Sequence, residues 1–524
     1  MESTPLKRMS LRGASRQGPA AATGALLALV AACATAQDAP GRGDDVAITI
    51  YSAARPGGIP AELYRPAPGQ SVDSGIAVPG YAMVRHERAF RIEAGRSKLR
   101  FADVAALIDP TTVTFTSLSD AATRVLEQNF QFDLVSTSKL LQRYVDRQIT
   151  AERANGGAPI SGTLLSASTS EGIVVRGADG SLMAIRDISG LRFPDLPGGL
   201  ITRPTLEWDL ASSRGGEQRT RVTYQTGGLT WWADYNLLFS AGRSANEGTV
   251  DLSAWVSLIN QSGASYPEAK LKLIAGNVNR VNSAPAPRVM LNMAEARAAD
   301  GGFSEQTFDE FHLYTLGRRA TLPNNSTKQI ELFDAARRVP AQRSLVFQGS
   351  PMRTFEGGPE PAIDRSYGLA GRPVVETWLT FRNDKASGLG LPLPAGRIRV
   401  SRLDAADNSV EFIGEDAIEH TPRDELVRVR LGSAFDVVGD RKQTDFSVDS
   451  RARVLDEEFV IELRNHKEED VEVQVRERLY RGAKANIVSS SLPYRQDSAR
   501  EASFVVKVPR NGASTLRYRV RYTW

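Results

Sequence analysis

The chain predicts a mainly β, multidomain protein. Apolar residues recur at every second position from residue 45 to the C-terminus, the period of a strand with one buried face. Short clusters of Gly, Pro, Asn and Asp punctuate that alternation, and residues 136–145 are the one convincing helix. At 524 residues, with 41% hydrophobic and 24% charged side chains, the chain has material for several packed cores.

The first β unit spans 37–134. "VAITIY" and "PAELYRP" open it, and "AFRIEAGRSKLRFADV" alternates on both sides of a Gly-containing turn, which predicts a hairpin. Residues 52–74 are rich in Gly, Pro and Ala and predict a long loop. "STSKLLQRYV" then offers a Ser/Thr cap followed by apolar residues at helical spacing. Four or five short strands separated by "NGG" and "GADG" follow it, so 135–197 predicts a small SH3-like or Sm-like barrel with one helix. Many such barrels bind RNA, but no basic stripe marks this one, and a structural or protein-contact role is expected.

From 198 the strands lengthen into antiparallel sandwich units. In "TVDLSAWVSLIN", Val250, Leu252, Ala254, Val256 and Leu258 share one face, opposite Asp251, Ser253 and Ser257. The first sandwich part covers 198–281 and continues over 305–400, and 282–304, dense in Pro and Ala, predicts a mobile insertion. A C-terminal sandwich takes 401–524 and closes on an expected hairpin around Asn511-Gly512.

The sequence pI of 9.1 comes largely from the N-terminus. Residues 1–36 hold Lys7, Arg8, Arg12 and Arg16 against Glu2, which accounts for three of the four net positive charges, so no electrostatic case for nucleic acid exists. The basic head precedes an apolar run too short for the roughly 20 residues of a bilayer span, the order of a secretory signal over 1–36. "VAAC" resembles a lipobox that would lipidate Cys33, and "ATAQD" resembles a cleavage site that would release a soluble periplasmic chain from Gln37. Both routes predict export, to the periplasm or the outer membrane. Cys33 is the single cysteine, so no internal disulfide can form.

"WWADYNLLF" and "VDLSAWVSLINQSGASYPEAKLKLIAGNVNRV", within 231–281, resemble a bacterial family known as domain of unknown function 4139, some of whose members are relatives of a mucoidy inhibitor. The resemblance runs from 46 to 524 through "FPDLPGGLITRPTLEWDL", "TFDEFHLYTLGR", "LPAGRIRVSR", "GEDAIEHTPRDE", "AFDVVGDRKQTDF" and "YRVRYTW", and departs from the family pattern at the loop 52–74. It implies a variable N-terminal β region, C-terminal sandwich domains and an address in the cell envelope, and no reaction.

Three groups of residues are candidates for function. Trp231 and Trp232 fall on opposite faces of any strand, so they serve either as inter-sheet anchors or as an aromatic surface for sugar or peptide, and Trp255 lies on the polar face of its own strand. Glu415, Asp416 and His420 in "GEDAIEHTPRDE" are the one place where a histidine meets several carboxylates, either a hydrogen-bonded turn or part of a metal or hydrolytic site. Asp436, Asp440, Arg441 and Asp445 in "FDVVGDRKQTDF" predict an inter-strand ion-pair network. No H-E-x-x-H, G-x-S-x-G, Walker A or Rossmann motif occurs, so no metal or cofactor is expected.

A non-enzymatic binding or scaffold role toward an envelope protein or polysaccharide is therefore the expected function, ahead of a metal-dependent or hydrolytic envelope enzyme built around His420. An outer-membrane β-barrel is a further alternative, because Leu516, Tyr518, Val520, Tyr522 and Trp524 alternate with Arg517, Arg519 and Arg521 up to a terminal aromatic.

Overall fold

The computed structural model describes residues 44–52, 58–65, 77–102, 104–154, 156–166, 172–242, 246–276, 303–308, 311–349, 361–369, 373–404, 406–481 and 484–524. The expected leader with Cys33, most of the loop 52–74 and nearly all of the insertion 282–304 lie outside the described residues. The rest is mainly β, arranged in several separate sheets, with two short α-helices and one 3-10 turn among the described residues.

A seven-stranded sheet runs in the order Phe303–Phe308, Phe311–Leu322, Tyr266–Ala275, Asp45–Tyr51, Tyr81–Ile92, Gly216–Gly227, Ile108–Ser117. Asp45–Tyr51 pairs in parallel with Tyr266–Ala275, so the first described strand shares a sheet with strands more than two hundred residues later. A three-stranded sheet of Gly95–Ala102, Thr205–Ser212 and Arg124–Gln131 packs against it through Phe101, Leu206 and Trp208.

The hairpin expected in "AFRIEAGRSKLRFADV" is corrected here. Tyr81–Ile92 pairs with Asp45–Tyr51 and Gly216–Gly227, whereas Gly95–Ala102 pairs with Thr205–Ser212 in the other sheet. Ile92 and Phe101 are both buried in the core between the two sheets, and Gly95, at φ 85°, carries the chain across. An arch between sheets and a hairpin within one produce the same alternation, so the pattern alone does not separate them.

The helix Thr137–Arg143 forms where expected, its N-terminus capped by Ser136 Oγ, which accepts from Lys139 N–H. Five strands follow in the spatial order Ile188–Arg192, Gln148–Arg153, Ile160–Ser166, Ile173–Arg176, Leu182–Ile185. Leu141 and Tyr144 from the helical segment pack onto Ile149, Leu164 and Val175 of this sheet. Its outer strands do not pair with each other, so the expected barrel is an open sheet over a small core.

The ten-stranded sheet runs Val410–Ile418, Gly396–Leu403, Leu229–Ala241, Glu247–Asn260, Ser326–Gln348, Val471–Arg478, Glu501–Val508, Tyr494–Ser498, with Val375–Arg382 and Leu426–Ser433 branching from Ser326–Gln348. The 23-residue strand Ser326–Gln348 joins two cores: Val339 and Ala341 belong to the first, Leu345 and Phe347 to the second. That second core is closed by a four-stranded sheet of Val437–Asp449, Val454–Asn465, Gly512–Thr523 and Lys484–Ser490.

The closing hairpin at Asn511-Gly512 is likewise an arch: Glu501–Val508 pairs with Val471–Arg478 and Gly512–Thr523 with Val454–Asn465. Leu516, Tyr518, Val520 and Tyr522 are buried in the sandwich core, which accounts for the alternation that suggested a lipid-facing strand.

One corner motif recurs three times. Buried Asn260, Asn383 and Asn465 each end or follow a strand and donate from Nδ2 to carbonyls of a neighbouring turn, including those of Pro323, Pro422 and Pro509. Two residues after each of those prolines, Asn325, Asp424 and Asn511 adopt left-handed φ of 52°, 66° and 46°.

Candidate binding face

Strand Leu229–Ala241 sends its aromatic residues in opposite directions. Trp231 points into the core, edge-on to Tyr314, and its Nε1 donates to the carbonyls of Ile50 and Ile274, each at 3.2 Å. Trp231 therefore ties together two neighbouring strands of the seven-stranded sheet as well as filling space. Trp232 lies on the outer face under Ile59, Leu63 and Tyr64, which belong to the short helical segment around Ala61–Tyr64. That cover also packs on Ile259, and Ser257 is buried beside Asp234, on the face of Glu247–Asn260 expected to be polar.

Asp234, two residues beyond Trp232 and only 4% exposed, is the centre of the outer face. Its Oδ2 accepts from Trp232 Nε1 at 2.7 Å and from Ser257 Oγ at 2.8 Å, and Gln329 Nε2 donates to Ser257 Oγ at 3.1 Å. Its Oδ1 lies 3.3 Å from Arg397 Nη2 and 3.7 Å from Arg399 Nη1. Arg399 Nε in turn donates to Glu415 at 2.9 Å. Desolvation opposes the charge on Arg397, and Asp234, Tyr64 and Glu415 outweigh it, so its pKa lies above the ordinary arginine value.

Trp255 completes the row. It is the direct cross-strand neighbour of Asp234 on one side and of Glu331 on the other, and at 37% exposure it is the one tryptophan of the three open to solvent. The outer face thus joins Trp232 and Glu415 in one network around Asp234, Arg397 and Arg399, three residues that sequence reasoning did not single out, with Trp255 beside it in register. "WWADYN" carried the signal: period two sets Asp234, the one charged residue of its strand, on the side of Trp232.

Glu415, Asp416 and His420 do not converge. Glu415 and Asp416 are consecutive on Val410–Ile418 and so face opposite ways. Asp416 accepts the backbone N–H groups of Ala417 at 2.9 Å and Arg430 at 2.7 Å, bracing Val410–Ile418 against Leu426–Ser433. His420 lies beyond the strand, where Nδ1 accepts from Ala395 N–H at 3.0 Å, which leaves the ring proton on Nε2. Burial lowers its pKa against the opposing pull of Glu419. Among the described residues no three His, Cys, Asp or Glu side chains are grouped to hold a metal ion.

Asp440 and Asp445 form the inter-strand pairs expected of them, with Arg464 at 2.5 Å and Arg519 at 2.8 Å. Arg441 instead crosses the core to Glu477 of the facing sheet at 3.1 Å, its guanidinium 3.6 Å from the Phe459 ring centroid. A second buried pair lies beside it, Glu457 of Val454–Asn465 with Arg481 of the turn after Val471–Arg478, and Tyr480 between them has its pKa raised to about 12, first by burial and then by the charge of Glu457. No helix among the described residues is long and apolar enough to cross a membrane. Comparison with family models, with curated proteins and with solved structures finds no match to this chain.

Proposed function

We propose that this chain is an exported cell-envelope protein that binds a polysaccharide or protein partner without catalysing a reaction, in keeping with the resemblance of its sequence to the domain of unknown function 4139 family. In this reading residues 1–36 direct export, and the mature chain begins at Gln37 or at a lipidated Cys33.

The observation that carries the binding role is the outer face of the ten-stranded sheet. A half-exposed Trp255 stands in register with a row of charges, the exposed Glu331 on one side and the hydrogen-bonded Asp234 and Arg397 on the other. An indole face beside fixed carboxylate and guanidinium groups suits a sugar ring, which stacks its C–H face on the aromatic and hydrogen-bonds through its hydroxyls. The acidic turn lends an enzyme no comparable support, because Asp416 and His420 have polar atoms engaged with backbone N–H groups.

Retention of the purified protein on immobilised polysaccharide from bacterial envelopes tests this reading. Trp255→Ala is expected to lose retention while its denaturant midpoint stays at the wild-type value. Undiminished retention would overturn the assignment of this face. N-terminal sequencing of the mature protein tests export independently, and an intact Met1 in envelope fractions would count against both routes.

A further inference from the structure

Two arginines occupy positions where the strand pattern calls for apolar side chains. Along Ser326–Gln348, Val339, Ala341, Leu345 and Phe347 are buried at every second position, and Arg343 falls in that series, between the last residue of the first core and the first of the second. Along Gly396–Leu403, Ile398 and Val400 are buried, and Arg402 is next in the series, in register with buried Phe239.

Both line one cavity of about 200 Å³ at the end of the sandwich. Its remaining polar lining includes the hydroxyl residues Thr377 and Ser433, its apolar walls include Phe239 and Leu431, and it holds no carboxylate. Neither guanidinium has a hydrogen-bond or ion-pair partner among the described residues. Burial lowers the pKa of Arg343, the charge of Arg402 pushes the same way, and Glu469 only partly offsets them.

The rest of the molecule shows what a buried arginine ordinarily receives here. Arg441 has Glu477 and Arg481 has Glu457, each within hydrogen-bonding distance. The Arg343 and Arg402 cavity repeats the cations without the anion: Arg343 is half-buried, Arg402 is exposed at the rim, and the two like charges disfavour each other until a counter-charge arrives.

We infer that this cavity binds a phosphate group, free or as the monoester end of a larger ligand. Two unpaired guanidinium groups match the charge of about −1.5 to −2 that a phosphomonoester carries at neutral pH, and the hydroxyls of Thr377 and Ser433 supply further donors. Phe239 and Leu431 offer a wall for the carbon part of an ester. The site is separate from the Trp255 face, and its test uses other residues.

Calorimetric titration of the full chain with inorganic phosphate at constant ionic strength should give saturable, one-site binding. Arg343→Gln and Arg402→Gln should each weaken it by roughly tenfold or more, the worth of a charge-assisted hydrogen bond. In phosphate-free buffer both variants should melt at or above the wild-type midpoint, because each relieves the repulsion. Tighter binding of a hexose monophosphate than of phosphate would identify a sugar ester as the source. Retention on phosphatidic acid vesicles without that gain would identify a lipid headgroup. Absence of saturation in the wild type, equal affinity in both variants, or acetate binding as tightly as phosphate would overturn the proposal.

Discussion

Glu457 Oε1 lies 2.6 Å from Arg481 Nη2, and both side chains are at 0% exposure. The pair does more than neutralise itself. Gln443 Nε2 and the Tyr480 hydroxyl donate to the same Glu457 oxygen at 2.8 and 3.2 Å, while Arg481 donates to the carbonyls of Ala362, Asp364, Arg365 and Tyr367. Arg481 thus staples the segment 361–369 onto the C-terminal sandwich.

Removing either partner leaves a buried, uncompensated charge. Glu457→Gln and Arg481→Met are each expected to lower stability by about 3–5 kcal/mol in urea melts, and the double change by less than the sum. Arg481→Met should also open 361–369 to limited proteolysis, which Glu457→Gln should do less. Additive effects in the double variant would show that the two residues act separately.

The three tryptophans separate core from surface on one measurement. Trp231→Ala should cost about 3–5 kcal/mol, because a buried ring and the two hydrogen bonds it makes to Ile50 and Ile274 are lost together. Trp255→Ala should change stability by less than about 0.5 kcal/mol, as for an exposed position with no buried role. Trp232→Ala should fall between them, since its ring is covered and its Nε1 holds Asp234. Equal midpoints for Trp231→Ala and Trp255→Ala would contradict the placement of the first in the core.

Much of this fold was legible in the sequence, and the failures share one cause. Strand positions, the cap at Ser136 and the buried face Val250–Leu252–Ala254–Val256–Leu258 follow from local patterns, because period and capping chemistry are properties of neighbouring residues. Which strands pair is not. Gly95 and Asn511 both looked like hairpin turns, yet each carries the chain to the opposite sheet, a choice set by partners that arrive from distant segments. The same distance hid the site: Asp234, Arg397 and Glu415 meet only once a parallel pairing sets Leu229–Ala241 beside Gly396–Leu403. Arg441 was visible as a charge in a strand, but its partner Glu477 lies in another sheet.

His86 predicts a pH dependence with a defined sign. Burial, reinforced by Arg88, pushes its pKa down to about 3, and its Nδ1 has no partner among the described residues. The unfolded chain takes up the proton near pH 6.5 and the folded chain excludes it. Stability is therefore full above about pH 6.5 and falls as pH drops toward 3, by up to about 1.4 kcal/mol per pH unit from this group. His86→Phe should flatten the slope between roughly pH 6.5 and 5, above the range where carboxylates titrate. Parallel slopes for wild type and variant in denaturant melts across that window would refute the assignment.

The recurring asparagine corner offers the most specific test of how the sandwiches are held. Asn465 Nδ2 donates to the carbonyls of Glu469, Val508 and Pro509 at 2.8, 3.4 and 3.1 Å, and its Oδ1 accepts Lys467 N–H at 3.0 Å. Asn260 repeats the pattern with Ala264, Leu322, Pro323 and Ser262. One amide therefore fastens a strand end in one sheet to the arch that leaves the other, and no hydroxyl or aliphatic side chain supplies both donor and acceptor at that reach. Asn465→Ala is expected to cost about 1–3 kcal/mol, the penalty of unpaired buried carbonyls. Asn465→Asp keeps the shape and the acceptor but sets a carboxylate against those carbonyls, so at neutral pH it should cost more than the alanine. Protonation of that aspartic acid restores a donor, and its pKa in the folded state should lie above the ordinary carboxylate value. The excess penalty of the aspartate over the alanine should therefore shrink as pH falls through that raised pKa. Denaturant melts of both variants at pH 7 and pH 5 decide it, and an excess that does not change between the two would show that the amide donor is not what holds the corner.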